Sequence, residues 1–129
     1  LRILRRCLYG YASWRVTVCD LTALEGRKDD EGKLRYDLIP PEALAGLAEV
    51  FTAGARKYED RNWEKGLSYG RIYAALMRHL ETWRSGEDYD LDNDQHHLDS
   101  VMWCAVALRT YEARGLGETF DNLRNLNDR

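Results

Sequence analysis

Residues 69–111 read YGRIYAALMRHLETWRSG, then EDYDLDND, then QHHLDSVMWCAVALRTY. The first and third parts have the length and apolar spacing of helices, and the middle part, residues 87–94, is an acidic loop. Because the connection is short, the two helices should pack antiparallel as a hairpin. All three histidines of the chain lie in this stretch. We therefore predict that this hairpin carries the chemically active residues of the protein.

The composition suits one helix-rich globular domain: 129 residues, 44% hydrophobic and 32% charged, with two prolines. A net charge of −3 argues against a protein that coats polymeric nucleic acid. No apolar run approaches the ~20 residues that span a bilayer, which predicts no membrane partner. Three cysteines without a metal-type spacing favour the reducing cytoplasm.

We predict an all-α fold with three main helices and a short C-terminal helix. The first helix should begin at Pro40-Pro41-Glu42, because proline is tolerated in the first turn and a glutamate there complements the helix dipole. Ser68 and Asp94 are the candidate N-caps of the second and third helices, and Gly86 should end the second. Residues 1–24 are interpreted as an N-terminal arm or short strand, and residues 25–129 as one all-α domain.

The predicted hairpin brings ionisable side chains to one end. His79 lies near the end of the second helix, and His96, His97 and Asp99 lie at the start of the third, where the acidic loop closes the same end. A helical wheel places Asp99 among apolar residues, where a carboxylate without a partner is costly. Clustered carboxylates favour Mg²⁺ or Mn²⁺, and the histidines could add a nitrogen ligand, act as a base or hold a phosphate oxygen. A solvated acidic loop and ordinary core histidines remain the alternatives.

Two polar linkers offer groups that can hold a nucleotide. Residues 25–37 are either a solvated loop or an extended segment that shows three charges on one side. The linker after the first helix supplies directional hydrogen bonding from Asn62, a flat ring from Trp63 and positive charge from Lys57, Arg61 and Lys65. The alternative for Trp63 is that it closes the core beneath the loop.

The runs GKLRYDLIPPEAL, GARKYEDRNWEKG and RHLETWRSGEDYD, followed by HHL, resemble the phage and bacterial dATP/dGTP diphosphohydrolase family. That family is grouped with the MazG-like all-α nucleoside triphosphate pyrophosphatases. The resemblance implies a MazG-like bundle completed by dimerisation, as a dimer or a dimer of dimers, in the bacterial or phage-infected host cytoplasm. It implies that dGTP or dATP is hydrolysed to the monophosphate and pyrophosphate by water attack at the α-phosphorus, with Mg²⁺ (or Mn²⁺).

The resemblance also implies site residues. The positions that would hold the purine and the phosphates are Lys33, Arg35, Asp37, Lys57, Tyr58, Asn62 and Trp63. Together with the wheel, it assigns catalysis to Asp99, His79 and His97, and metal binding to Glu87, Asp90 and Asp99. The Glu-x-x-Glu and Glu-x-x-Asp pattern of MazG-like enzymes is only half present, as Glu81 and Asp99, and Glu81 points away from the buried face.

Two other functions are compatible with the sequence. A metal phosphohydrolase of the HD type would release triphosphate and would use His79, His97 and Asp99, although Leu98 separates the His-Asp pair that is adjacent in such enzymes. A non-catalytic helical module would bind a nucleotide or a partner protein without turnover. The base, the sugar and the number of metals stay open.

Overall fold

The computed structural model describes residues 28–124, which fall into two units, one ending at Leu34 and one beginning at Arg35. The second unit contains the helices α1 (Pro41–Lys57), α2 (Tyr69–Arg84), α3 (His97–Ala113) and α4 (Gly117–Phe120), with 3-10 turns at Tyr36–Leu38 and Asn62–Lys65. The described residues contain no strand, so the predicted all-α fold is confirmed for them. The arm or strand predicted for residues 1–24 lies outside the described part of the chain.

The helix ends follow the predicted signals in part: Ser68 stands at the N-cap of α2, but its side chain makes no capping hydrogen bond. Pro41 is the first residue of α1, and Gly86, at φ +104°, follows the last turn of α2 as glycine commonly does. The prediction that Asp94 caps α3 is wrong. His96 is the N-cap, and its Nδ1 accepts a hydrogen bond from the backbone N–H of Leu98 at 3.1 Å.

The antiparallel hairpin predicted for α2 and α3 is present, and it is the most extensive helix contact in the second unit. His79 meets His97 at one end of the pair, and the rings of Tyr69 and Tyr111 stack at the other, with centroids 6.2 Å apart. Helix α1 packs on α3. The hairpin therefore has a histidine end and an aromatic end.

The core lies toward the aromatic end. Its fully buried apolar residues are Tyr69, Ile72, Cys104, Ala107 and Tyr111. The sequence predicts that α3 is buried on every side, but its buried positions form one stripe from His97 to Tyr111, and Arg109 is exposed. Two neighbouring helices cover only part of the surface of a third, which leaves the other side of α3 half-buried in the described structure.

Within residues 28–124, none of the helices combines the length and the hydrophobicity that crossing a bilayer requires.

Candidate functional site

The acidic loop folds back against the start of α3. Tyr89 and His96 form an isolated antiparallel bridge, and the Asp90 N–H donates to the Gln95 carbonyl at 2.8 Å. The N–H of His97 donates to the carbonyl of Asp88 at 2.9 Å. These backbone bonds turn Asp90 toward the histidine end of the hairpin.

Not all of the other acidic side chains of the loop turn toward the histidines as Asp90 does. The side chains of Asp88, Asp92 and Asp94 are exposed, which agrees with the alternative of a solvated loop for these three. The backbone N–H of Asp92 donates to Oδ1 of Asp90 at 3.0 Å and holds that carboxylate in place. The loop therefore contributes selected acids, and its charge as a whole does not form the site.

His79, Asp90 and His97 form a group that could hold a metal ion, since one ligand atom from each lies within 4.8 Å of the others. The two Nδ1 atoms of the histidines are 2.9 Å apart. His97 is only 4% exposed, whereas His79 and Asp90 are half-buried. We call these three residues the histidine group.

Glu87 orients one of the imidazoles. Its Oε1 lies 3.3 Å from Nε2 of His97. Because an ionised carboxylate only accepts hydrogen bonds, Nε2 of His97 carries the proton and its Nδ1 is an acceptor. Nδ1 of His79 then donates to Nδ1 of His97. If the proton of His79 moves from Nδ1 to Nε2, the Nδ1 atoms of both histidines present their lone pairs to the space between the two rings.

The surroundings of His79 favour its neutral form. Burial is the main cause that lowers the pKa of His79, and the nearby His97 and Arg78 lower it further, while Asp90 acts in the opposite direction. A neutral imidazole is the form that binds metals or accepts a proton. His79 is therefore held in a chemically competent state near neutral pH.

An open cleft of about 790 Å³ connects the histidine group with the linker after α1. His79 and Asp90 line it, and so do the linker residues Lys57, Tyr58 and Asn62. The volume lies within the range of roughly 300–1,000 Å³ that is usual for small-molecule sites. One cavity thus joins the predicted metal end with residues predicted to hold a nucleotide.

Two of the linker aromatics play different parts. Trp63 lines the cleft, but its ring packs against Phe51, Trp103 and Tyr111, with centroid distances of 5.4, 6.4 and 6.0 Å. This packing agrees with the alternative that Trp63 closes the core beneath the loop. Tyr58 is 64% exposed and has the Lys57 ammonium 5.3 Å from its ring centre. Tyr58 is therefore the cleft aromatic with a free face.

Three of the sequence-predicted substrate residues are not among those that line this cleft. Arg35 and Asp37 bind each other through two hydrogen bonds, of 2.7 and 2.5 Å, and both are exposed. Lys33 lies in the other unit, where its ammonium is 3.2 Å from Oδ1 of Asp30. Their substrate contacts stay predictions from the sequence.

Asp99 and Glu87 are also outside the histidine group, although both are described residues. Asp99 faces α1, where a Cβ placed on Gly46 would lie 2.4 Å from Oδ1 of Asp99. The expectation that Asp99 is fully buried is wrong, because it is half-buried in this gap beside a glycine. Glu87 contacts the group only through His97.

One cationic cleft residue was missed by the sequence reasoning on substrate binding. Arg71 lies eight residues before His79, two helical turns away on the same face of α2, with Ala75 between them, and all three line the cleft. Helical spacing alone could have found it. Arg61, which the sequence offers as positive charge for a nucleotide, lines the cleft from a left-handed backbone conformation, φ +59°.

Comparison with known proteins supplies a family. A family model described as dATP/dGTP diphosphohydrolase, N-terminal, matches residues 23–122, which include all four helices and the whole histidine group. A dATP/dGTP diphosphohydrolase of Salmonella phage PMBT28 is 34% identical over 74 residues, which are 57% of this chain and 25% of the phage protein. The chain thus spans about a quarter of the length of that relative. No solved structure matches.

Proposed function

The chain belongs to the family of dATP/dGTP diphosphohydrolase N-terminal domains, and from that premise we propose that it hydrolyses purine deoxynucleoside triphosphates. The proposed substrates are dGTP and dATP, and the proposed products are the monophosphate and pyrophosphate. Water attacks the α-phosphorus, the bond to the bridging oxygen breaks, and pyrophosphate leaves.

The continuous cleft carries this proposal. A nucleoside triphosphate needs a surface for its base, positive charge along its phosphates and a reactive group at the α-phosphorus. The cleft lining includes the exposed ring of Tyr58, the cations Lys57, Arg61 and Arg71, and two members of the histidine group, His79 and Asp90.

The linker and α2 supply binding. We assign base stacking to Tyr58, because its ring is exposed while that of Trp63 is packed on three sides by aromatic rings. Asn62 would hydrogen-bond the base or sugar. Lys57, Arg61 and Arg71 would neutralise the phosphates and stabilise the charge that develops on the leaving pyrophosphate.

The histidine group supplies the reactive end. His79, Asp90 and His97 would hold Mg²⁺ or Mn²⁺, which when bound supplies Lewis-acid activation of the phosphate and of water. Oε1 of Glu87 is used by His97, and among the described residues Oε2 has no hydrogen bond. Oε2 of Glu87 is therefore the proposed acceptor for the proton of the attacking water.

The product test decides the reaction class. Purified protein is incubated with dGTP or dATP in ¹⁸O-enriched water with Mg²⁺ or Mn²⁺, and the products are separated by anion exchange and weighed by mass spectrometry. We expect pyrophosphate, with one ¹⁸O in the monophosphate. Orthophosphate as the first product, or label in pyrophosphate, would contradict attack at the α-phosphorus.

Adjacent histidines provide a matched control for the site. His97→Asn removes a member of the histidine group, whereas His96→Asn changes the next residue and keeps a good helix N-cap. We expect His97→Asn to lower turnover by roughly 10²-fold or more, in line with loss of a residue that acts directly in catalysis. His96→Asn should stay within a few-fold of the wild type. Equal effects would remove His97 from the proposed site.

Asp99 keeps a catalytic role as a separate proposal from the sequence. It begins the same helix as His97 but faces α1. Under this proposal Asp99→Asn abolishes turnover while cation binding by the histidine group persists. Unchanged turnover would remove Asp99 from the reaction and leave the histidine group as the reactive end.

The donor set favours a second candidate function. Two histidines and one carboxylate are also suitable ligands for a metal phosphohydrolase that releases triphosphate. The residues differ from the sequence-based version, because Asp90 takes the place proposed for Asp99. Deoxynucleoside and inorganic triphosphate as products would establish this alternative.

A further inference from the structure

We propose that the histidine group selects a first-row transition cation over Mg²⁺, and that Glu87 acts from outside the group by fixing His97 as a ligand. The inference deepens the proposed function, because it names the kind of cation that the same site takes. Its test reads cation binding, so it does not depend on turnover.

The donor chemistry differs from the all-carboxylate site that the sequence predicts. Of the expected metal ligands Glu87, Asp90 and Asp99, only Asp90 is part of the group, and two imidazoles complete it. Mg²⁺ binds oxygen ligands and keeps several waters, whereas imidazole suits the transition ions. Two nitrogens and one oxygen therefore favour the first-row transition ions over Mg²⁺, and Mn²⁺ is the weakest binder of that series.

The spacing of the nitrogens is compatible with such an ion. Two nitrogens at about 2.0–2.1 Å from one ion and at a right angle are about 2.9 Å apart, and a tetrahedral angle separates them by about 3.3–3.4 Å. The Nδ1 atoms of His79 and His97 are 2.9 Å apart. A hydrogen bond gives the same distance, so the surrounding groups must distinguish the two.

The carboxylates around the two histidines have the arrangement that is usual for metal-binding histidines. The carboxylate of Glu87 meets the far nitrogen of His97, Nε2, and a carboxylate in this outer position sets the tautomer that leaves Nδ1 free to ligate. Asp90 brings a second carboxylate to the near side. A buried imidazole N–H needs an acceptor in any role, so Asp90 is the carboxylate that distinguishes a cation site from packing alone.

The burial of the three residues also suits a cation site. His97 is buried, which protects one ligand from water, while His79 and Asp90 line the open cleft and provide a route for an ion. The other loop acids, Asp88 and Asp92, are exposed and do not join the group.

The test is a titration of the full chain with MnCl₂, in which the electron paramagnetic resonance signal of free Mn²⁺ reports binding, followed by competition with MgCl₂. We expect Mn²⁺ to bind at least roughly tenfold more tightly than Mg²⁺, in keeping with nitrogen ligation. Pulsed resonance spectra of the complex should show coupling to ¹⁴N of imidazole. Displacement of Mn²⁺ by an equal concentration of Mg²⁺, or no ¹⁴N coupling, would overturn the proposal.

Matched variants locate the nitrogens. His97→Asn should weaken Mn²⁺ binding by roughly tenfold or more and remove part of the ¹⁴N coupling, and Glu87→Gln should weaken it by roughly 10–100-fold with the coupling retained. His96→Asn should leave binding unchanged. If His97→Asn does not fold, His79→Asn at the half-buried partner must show the same loss. Equal binding by the His96 and histidine-group variants would contradict the assignment.

The outcome also separates this inference from the proposed function. Mn²⁺ bound with ¹⁴N coupling but no turnover of dGTP or dATP would support the cation site and contradict the hydrolase. Turnover with Mg²⁺ and no ¹⁴N coupling in the Mn²⁺ complex would support the hydrolase and contradict the cation site.

Discussion

Tyr69 and Tyr111 stack on each other in the core, but their hydroxyl groups have different surroundings. The hydroxyl of Tyr111 donates to the backbone carbonyl of Trp63, across 48 positions of sequence. The hydroxyl of Tyr69 is buried and has no hydrogen-bond partner among the described residues. The same residue type therefore stabilises the fold at one position and carries a desolvation cost at the other.

Tyr111→Phe should lower the free energy of unfolding by about 0.5–1.5 kcal/mol, because it removes the side-chain donor to the Trp63 carbonyl, which keeps only its bond from the Gly66 N–H. Tyr69→Phe should leave the free energy of unfolding unchanged or raise it, because the lost hydroxyl made no bond among the described residues. Urea unfolding of both variants at neutral pH measures the difference. Equal losses of free energy of unfolding in the two variants would contradict the stabilising role assigned to the Tyr111 hydroxyl bond.

His79 gives the fold a defined pH response. Burial lowers its pKa in the folded protein, while the unfolded chain has the ordinary value of about 6.5. As the pH falls through that value, the unfolded state takes up a proton that the folded state resists. The free energy of unfolding therefore decreases as pH falls through this window, and this decrease stops below the folded pKa.

His79→Gln should remove this contribution. Between about pH 7.5 and pH 5.5 the wild type should lose more free energy of unfolding than the variant. Both titrations are done with a chelator, so that bound cations do not contribute. Parallel pH profiles would contradict the assignment of this response to His79.

At the scale of elements, the crossing of α1 and α3 depends on one glycine. Gly46 leaves space for the carboxylate of Asp99, and a Cβ there would be 2.4–2.5 Å from three of its atoms. Gly54 lies two turns later on α1, and a Cβ there would meet nothing within 4 Å. The two glycines share a helix and differ in their packing.

Gly46→Ala should therefore destabilise the fold by about 1–3 kcal/mol through overpacking, despite the better helix propensity of alanine. Gly54→Ala should stabilise it by about 0.5–1 kcal/mol. Chemical unfolding of both variants measures these changes.

A double variant identifies the contact. Adding Asp99→Ala to Gly46→Ala should recover most of the lost stability, because the atoms that clash are removed. A strictly additive double variant would show that Asp99 does not oppose a side chain at position 46.

At the scale of the molecule, α1 remains incompletely covered. None of its residues is fully buried, and Leu44 is 57% exposed on its apolar stripe. The family resemblance predicts a dimer or a dimer of dimers, which would cover such a surface. The self-association of this chain stays a prediction from the sequence.

Light scattering after size-exclusion chromatography should give at least twice the mass of one chain, and Leu44→Glu should shift it toward the monomer because a charge replaces apolar contact. Leu91→Glu is the control, since Leu91 is 90% exposed in the acidic loop, outside the helices. A monomer in the wild type at micromolar concentration would contradict the prediction.

The helices and their pairing could be predicted from the sequence. Apolar periodicity located α1, α2 and α3, and the short connection required α2 and α3 to pack antiparallel. The meeting of His79 and His97 follows from that topology, because each lies near the shared end. These features depend on the spacing of apolar residues and on the length of the connection, and both can be read from the sequence.

The tertiary structure alone decided which acids belong beside the histidines in the hairpin of residues 69–111. Backbone pairing between Tyr89 and His96 turns Asp90 inward, and Gly46 on a distant helix admits Asp99 to a different contact. Helical periodicity could not reveal either arrangement. A loop acid is positioned by bonds that its backbone makes elsewhere, and the direction a helical acid faces depends on the shape of the neighbour that packs against it.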